Sequence, residues 1–364
     1  MTGLIDKISG GLNFKDMGDS AIVFILSVFT TFIIIVFGIY FMYMYNLQTN
    51  ECKAMRNIYP IRNTTINSIV PTTQLLNAYC IKSAYNCCSL GSYKNDYVGT
   101  CILTHILQQG VRFLDFEIFS VDDMPVVATS VSNNFHEKET FNSVNFNDVM
   151  KTIQNTAFSP NLVGNYSDPI IIHLRFKSNN PKMFDALLVI FKFYSSMFVD
   201  KSLSISNTTP IDFTTVPVSS IMGKISVFVD DSNKVCTLCS ALKEFINMRS
   251  NGSSSLRIYP FYDIRNASQP DLFDMLSFNT KMTTANNVTT KSEINKGMTI
   301  CIPNRDINPG NPNLSVTQSI DCNIVAMRFQ HVDENLIAYN NTFKYNAFIL
   351  KTAMPNYSST VTHL

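Results

Sequence analysis

The stretch LQQGVRFLDFEIF, residues 107–119, decides the fold. Its first residues close CILTHILQQ (101–109), a run whose apolar residues recur at helical spacing. VRFLDFEIF (111–119) then reads as a strand. Asp115 and Glu117 lie two apart on it, so both carboxylates project from one face. Working outward, PVVATS (125–130), PIIIHLRF (169–176) and GKISVFV (223–229) also read as strands. FNDVMKTIQNTAF (146–158) and PKMFDALLVIFKFYSSMF (181–198) read as helices. Alternating strands and helices predict an α/β fold with a parallel sheet. SLRIYP (255–260), NIVAMRFQ (323–330) and NAFILKT (346–352) are further strands, separated by a loop-rich stretch of Asn, Thr and Pro. No internal repeat is found.

The chain has 364 residues, enough for one large domain with accessories, and a formal net charge of +1. That charge offers no electrostatic case for a nucleic-acid partner. Charged residues are scarce, at 15%, and part of the deficit is local. Ala21 to Tyr45 reads AIVFILSVFTTFIIIVFGIYFMYMY, and no charge falls between Asp19 and Glu51. About 20 apolar residues suffice to cross a bilayer as a helix. Ser27, Thr30 and Thr31 can bond back to helix carbonyls, and Tyr40, Tyr43 and Tyr45 cluster as an interfacial belt. FMYMYNLQ has no small-residue cleavage site, so a retained single span is expected.

Lys7 and Lys15 on one side and Lys53, Arg56 and Arg62 on the other leave the orientation open. Glycosylation sequons begin at Asn63, Asn165, Asn207, Asn251, Asn266, Asn287, Asn313, Asn340 and Asn356, a number that an Asn-, Ser- and Thr-rich chain reaches by chance. The nine cysteines follow the span, and their odd number leaves at least one unpaired. Cys236 and Cys239 form a CxxC without a second pair, which favours buried thiols over a zinc site.

Seven segments, in order, resemble the X and Y halves of the phosphoinositide-specific phospholipase C barrel. IKSAYNCCSLGS (81–92) is similar to I-N-S-S-H-N-T-Y-L-x-G, and LQQGVRFLDFEIF to L-x-x-G-C-R-C-V-E-L-D-x-W. FNDVMKTIQNTAF with DPIIIHLRF resembles F-x-D-V-I-x-x-I-x-x-x-A-F and Y-P-x-I-L-S-L-E-N. VSSIMGKISVFV resembles L-K-G-K-I-L-V-K, and LRIYP resembles L-S-R-I-Y-P. IVAMRFQ and FKYNAFILKTAMP resemble M-V-A-L-N-F-Q and F-x-x-N-G-x-x-G-Y-L-L-K-P. The resemblance implies an irregular TIM-type (β/α)8 barrel, preceded here by one transmembrane helix. It divides the chain into a polar segment 1–20, the span 21–45, a linker 46–70, an X-like half 71–232, a short segment 233–254, a Y-like half 255–354 and a tail 355–364.

In that family two histidines serve as general base and acid in cleaving a phosphodiester. Here the first position reads Tyr85 and the second Thr129, or Ser130 with a one-residue slip. A phenol or an aliphatic hydroxyl is a poor base at neutral pH. The resemblance implies a calcium site at Asn86, Asp115, Glu117 and a last acidic position that reads Arg175. A guanidinium there removes an oxygen donor and adds charge, so calcium is expected to be lost and Arg175 to pair with the carboxylates. The two phosphate-holding lysines read Phe228 and Asp230, while Arg257 and Tyr259 match head-group contacts. His173, two before Arg175, is a candidate relocated base.

These residues predict a non-catalytic barrel held at a membrane, binding a phosphoinositide or a protein, or serving structurally, as in a viral membrane protein. A phosphoric diester hydrolase of altered mechanism is the rival. A phosphoinositide sensor without turnover is a third reading.

Overall fold

The computed structural model describes residues 19–59, 62–70, 73–132, 136–207, 211–250, 256–279, 281–285, 288–292 and 297–355. The amino-terminal residues 1–18, the tail 356–364 and the sequons at Asn251, Asn287 and Asn356 lie outside the described residues.

Two compact units divide at Asn50 and Glu51. In the first, helix α1 (Asp19–Ile58) begins. It is long and apolar enough to cross a membrane, with a mean hydropathy of 2.9 over its most apolar window. Thr30 Oγ1 donates to the Leu26 carbonyl at 2.7 Å, and Ser27 and Thr31 bond back in the same way. Helix continues beyond Tyr45, because nothing from Asn46 to Ile58 is a glycine or proline. The stretch 46–70 is therefore not a free linker. Within the second unit Met55 and Ile66 are buried, and Tyr59 donates to the Phe329 carbonyl at 2.7 Å.

In the second unit the elements follow in chain order. The X-like half holds β1 (Tyr79–Ala84), α2 (Thr100–Gln108), β2 (Phe113–Val121), β3 (Met124–Ala128), β4 (Val144–Asn145), α3 (Phe146–Thr156), β5 (Ile170–Phe176), α4 (Pro181–Phe193) and β6 (Ile225–Asp230). Then come α5 (Val235–Leu238), β7 (Ile246–Arg249), β8 (Leu256–Pro260), α6 (Phe261–Arg265), α7 (Gln269–Asn279), β9 (Lys281–Ala285) and β10 (Val288–Ser292). Last are β11 (Met298–Ile302), α8 (Leu314–Gln318), β12 (Ile324–Met327), α9 (Glu334–Thr342) and β13 (Phe348–Leu350).

Eight parallel strands run β7-β6-β5-β2-β1-β12-β11-β8, in chain order around a barrel. A single parallel bridge, Ser250 to Leu256, spans the gap between β7 and β8. This is the predicted TIM-type barrel. Strand alternation sorts its side chains. Each of the eight strands sends an apolar residue to the interior floor, among them Ile81, Phe113, Ile171, Phe228, Ile300 and Ile324. The alternate residues Leu114, Phe116, Leu174 and Val227 join Ile102, Phe146, Val149 and Phe184 of the surrounding helices in the outer core. Asn145 and Asn180 cap α3 and α4 through side chains that accept from Asn147 and Lys182 N–H groups.

Three readings of the sequence change. PVVATS and NAFILKT are strands, but β3 pairs antiparallel with β2 and β13 antiparallel with β1, both off the barrel path. Asp122 and Asp123, both left-handed at φ 50° and 63°, make the two-residue turn that folds β3 back. Strand β7 lies inside 233–254, and β11 inside the expected loop-rich stretch, so both segments supply barrel staves.

Candidate functional site

Above the apolar floor, β2 and β5 carry a layer of charge. Asp115 pairs in register with His173, and Glu117 with Arg175. Both strands therefore aim these side chains at the same end of the interior. Asn86, just past β1, takes a left-handed φ of 45°, a conformation that asparagine tolerates better than most residues. Its main-chain N–H donates to Asp115 Oδ2 at 3.1 Å.

Arg175 sits between these groups. Its Nε donates to Asp115 Oδ1 at 2.9 Å and its Nη2 to Asp115 Oδ2 at 2.8 Å, a bidentate pair. Nη1 donates to Glu117 Oε1 at 2.5 Å, and Nη2 also to Asn86 Oδ1 at 2.8 Å. Glu117 Oε2 accepts the Ser130 N–H at 2.9 Å. Asp115 is 0% exposed and Arg175 only 6%. Burial pushes the Asp115 carboxyl up, but the Arg175 charge and hydrogen bonds from His173 and Arg175 outweigh it and hold the group well below the usual carboxylate range. For Arg175, burial works against the charge, and Asp115, Tyr85 and Glu117 together raise its pKa well above the ordinary value.

A stack of rings closes the end. The Arg175 guanidinium lies 4.5 Å from the Tyr85 ring centroid. Tyr85 meets Tyr93 edge-on at 5.6 Å, and Arg328 covers Tyr93 at 4.7 Å. Arg328 is tied down by the Pro309 carbonyl, the Gly91 carbonyl at 3.1 Å and Asn308 Oδ1 at 2.7 Å. Tyr85, Tyr93 and Arg328 are all buried. Burial pushes the Tyr85 phenol up, away from service as a base near neutral pH.

His173 is 0% exposed and stacks on Phe113 at 5.6 Å. Its Nδ1 lies 2.7 Å from Asp115 Oδ1, while its buried Nε2 has no hydrogen-bond partner. Thr129 Oγ1 donates to the Tyr93 carbonyl at 2.9 Å, and Ser130 Oγ to Glu139 at 3.0 Å. Phe228 is part of the apolar floor, and Asp230 accepts from the Ser250 hydroxyl at 3.0 Å.

The structure does not bring Arg257 and Tyr259 to this cluster. Leu256 and Ile258 take the interior side of β8, so Arg257 and Tyr259 point outward. Arg257 donates to Asp274 at 2.9 Å and to the Tyr259 hydroxyl at 3.2 Å, and lies 4.1 Å from the Phe278 ring centroid. Tyr259 lines an open cleft of about 370 Å³ with Tyr262, Asp263, Asp271 and Asp274, on the outside of the barrel.

The donors expected for calcium do not fit the ion. Asn86 Oδ1, both oxygens of Asp115 and Glu117 Oε1 are already spent on one guanidinium. Among the described residues no cluster of three or more His, Cys, Asp or Glu is arranged to hold a metal.

Residues 72–227 match the family model for the phosphatidylinositol-specific phospholipase C X domain. PLC21 of L. pealei is similar in structure, with 15% identity over 78% of this chain and 38% of that one, and a TM-score of 0.57. PLC21 of S. officinalis gives 14% identity, the same coverages and a TM-score of 0.55. The chain thus spans well under half the length of these proteins, and identities so low show the barrel fold alone. A search of curated protein sequences finds no match. Residues 72–227, under half of the chain, thus carry the likeness to the phosphatidylinositol-specific X domain, and the fold is that of a phospholipase C-like barrel.

Proposed function

We propose that this chain is a non-catalytic phospholipase C-like barrel, held at a membrane by residues 21–45 and acting as a binding or structural module. The observation that carries the reading is the Arg175 fork on Asp115, Glu117 and Asn86, sealed beneath Tyr85 and Tyr93. Phosphodiester cleavage needs a base, an acid and a place for the phosphate. Here the base and acid positions hold Tyr85 and Thr129. A cation of the protein's own fills the space between the carboxylates.

The rival reading is a phosphodiesterase that uses His173. It is favoured by the short contact of His173 Nδ1 with Asp115, which orients the ring as in a general base. Complete burial of that ring opposes it. Full-length protein in detergent is expected to leave phosphatidylinositol and its bisphosphate uncleaved, with or without calcium. Turnover well above buffer that vanishes in His173→Ala overturns the proposal.

A further inference from the structure

The described cysteines are sorted by exposure. Cys80, Cys87, Cys88, Cys239, Cys301 and Cys322 are free, and each is buried. Burial pushes the Cys80 and Cys322 thiols up to about 12, far from the thiolate form that reacts. Cys52 and Cys101 are only partly buried, and these two are joined in a disulfide with Cα atoms 5.9 Å apart.

The pairing is built into the barrel unit. Cys52 lies one turn before the buried Met55, on the stretch of α1 that ends where Tyr59 bonds to Phe329. Cys101 is the second residue of α2. The bridge closes a loop of sequence separation 49 that contains β1, Tyr85, Asn86 and Tyr93. Disulfides form and persist in oxidising compartments, where an exposed unpaired thiol is a liability. The charges flanking the span left its orientation open, and the cysteine pattern supplies what they lack.

We infer that Cys52 and Cys101 are bridged in the native chain and that residues 51–364 fold on the oxidising side of the membrane. The sidedness rests on the membrane reading above. In forming the bridge, the two thiols give up two protons and two electrons. A protein disulfide donor takes these up and becomes a dithiol.

The test uses full-length chain translated into sealed microsomes. Carbonate extraction comes first, and release into the supernatant breaks the membrane reading and with it the sidedness. Alkylation and digestion without reduction should then yield a peptide pair joined through Cys52 and Cys101. Free, alkylated Cys52 and Cys101 overturn the bridge. A Ser196→Cys variant, at an exposed position, should react with a membrane-impermeant maleimide only after detergent is added. Labelling in sealed vesicles puts the barrel on the reducing side and overturns the inference even where the membrane reading holds.

Discussion

Two buried arginines flank the barrel interior and are paired in opposite ways. Arg112, just before β2, donates to the main-chain carbonyls of Ala157 and Asn165 at 3.0 and 2.5 Å and to Asn165 Oδ1 at 3.0 Å. Those acceptors carry no net charge, and burial lowers the Arg112 pKa to about 10, although Asp168 raises it in part. Arg175, near the other end of β5, meets two carboxylates and an amide, and its pKa rises. The first arginine fastens loops at the foot of the barrel. The second neutralises a pair of acids that would otherwise repel, which is the task of a cation rather than of a staple.

Removing each charge separates these roles. Arg175→Ala leaves two buried carboxylates unpaired and should destabilise the barrel by roughly 3–5 kcal/mol in thermal unfolding. Arg175→Glu should destabilise it as well and recover with calcium, because the variant restores an oxygen donor. An Arg175→Ala protein that unfolds like the parent dissolves the contrast. So does calcium stabilisation of the parent.

A smaller loss is expected at the foot. Arg112→Ala strands carbonyls and an amide oxygen and withdraws the charge that partly offsets the burial of Asp168, at a cost of roughly 1–3 kcal/mol. The distinguishing readout is acid titration. Asp115 is held below its unfolded value by Arg175, so it adds stability that is present above the ordinary carboxylate pKa and is lost as pH falls from there through its own, lower pKa. Arg175→Ala should flatten this acid limb, and Arg112→Ala should leave it in place.

The smallest effect concerns a third buried basic side chain, Lys82, which is paired as Arg112 is, with a neutral acceptor. Its ammonium donates to the Gln109 carbonyl at 2.9 Å, and burial lowers its pKa to about 7. Between about 7 and 10.5 the unfolded chain binds a proton that the folded chain does not, so stability should climb with pH across that window. Lys82→Met should abolish the climb, as followed by urea unfolding at several pH values.

Much of this was legible in the residues. The helix-to-strand switch around Gly110 predicts an α/β fold, because strand and helix periods are local properties of the chain, and the order of the segments adds the barrel through the resemblance. The spacing of Asp115 and Glu117, with Arg175 at a position that the resemblance makes acidic, predicts their meeting. Strands β7 and β11 were missed, since INMR and MTICI are short apolar runs that length alone cannot assign. Tyr93 and Arg328 were missed as the cover. Arg328 does stand where the M-V-A-L-N-F-Q pattern has Asn, a visible signal without a visible partner.

By itself the sequence determined the class of fold, an apolar helix long enough to span a bilayer, and which side chains replace a base, an acid and a metal ligand. The fold class and the span follow from periodicity and length, and the replaced positions are what the resemblance implies, none of which needs a third dimension. Only the tertiary structure decided that Arg257 and Tyr259 face outward, that Cys52 finds Cys101 across 49 positions, and that rings and guanidinium groups fill the site. Register, strand parity and long-range closure set those outcomes, and a one-residue change of parity sends a side chain to the opposite face.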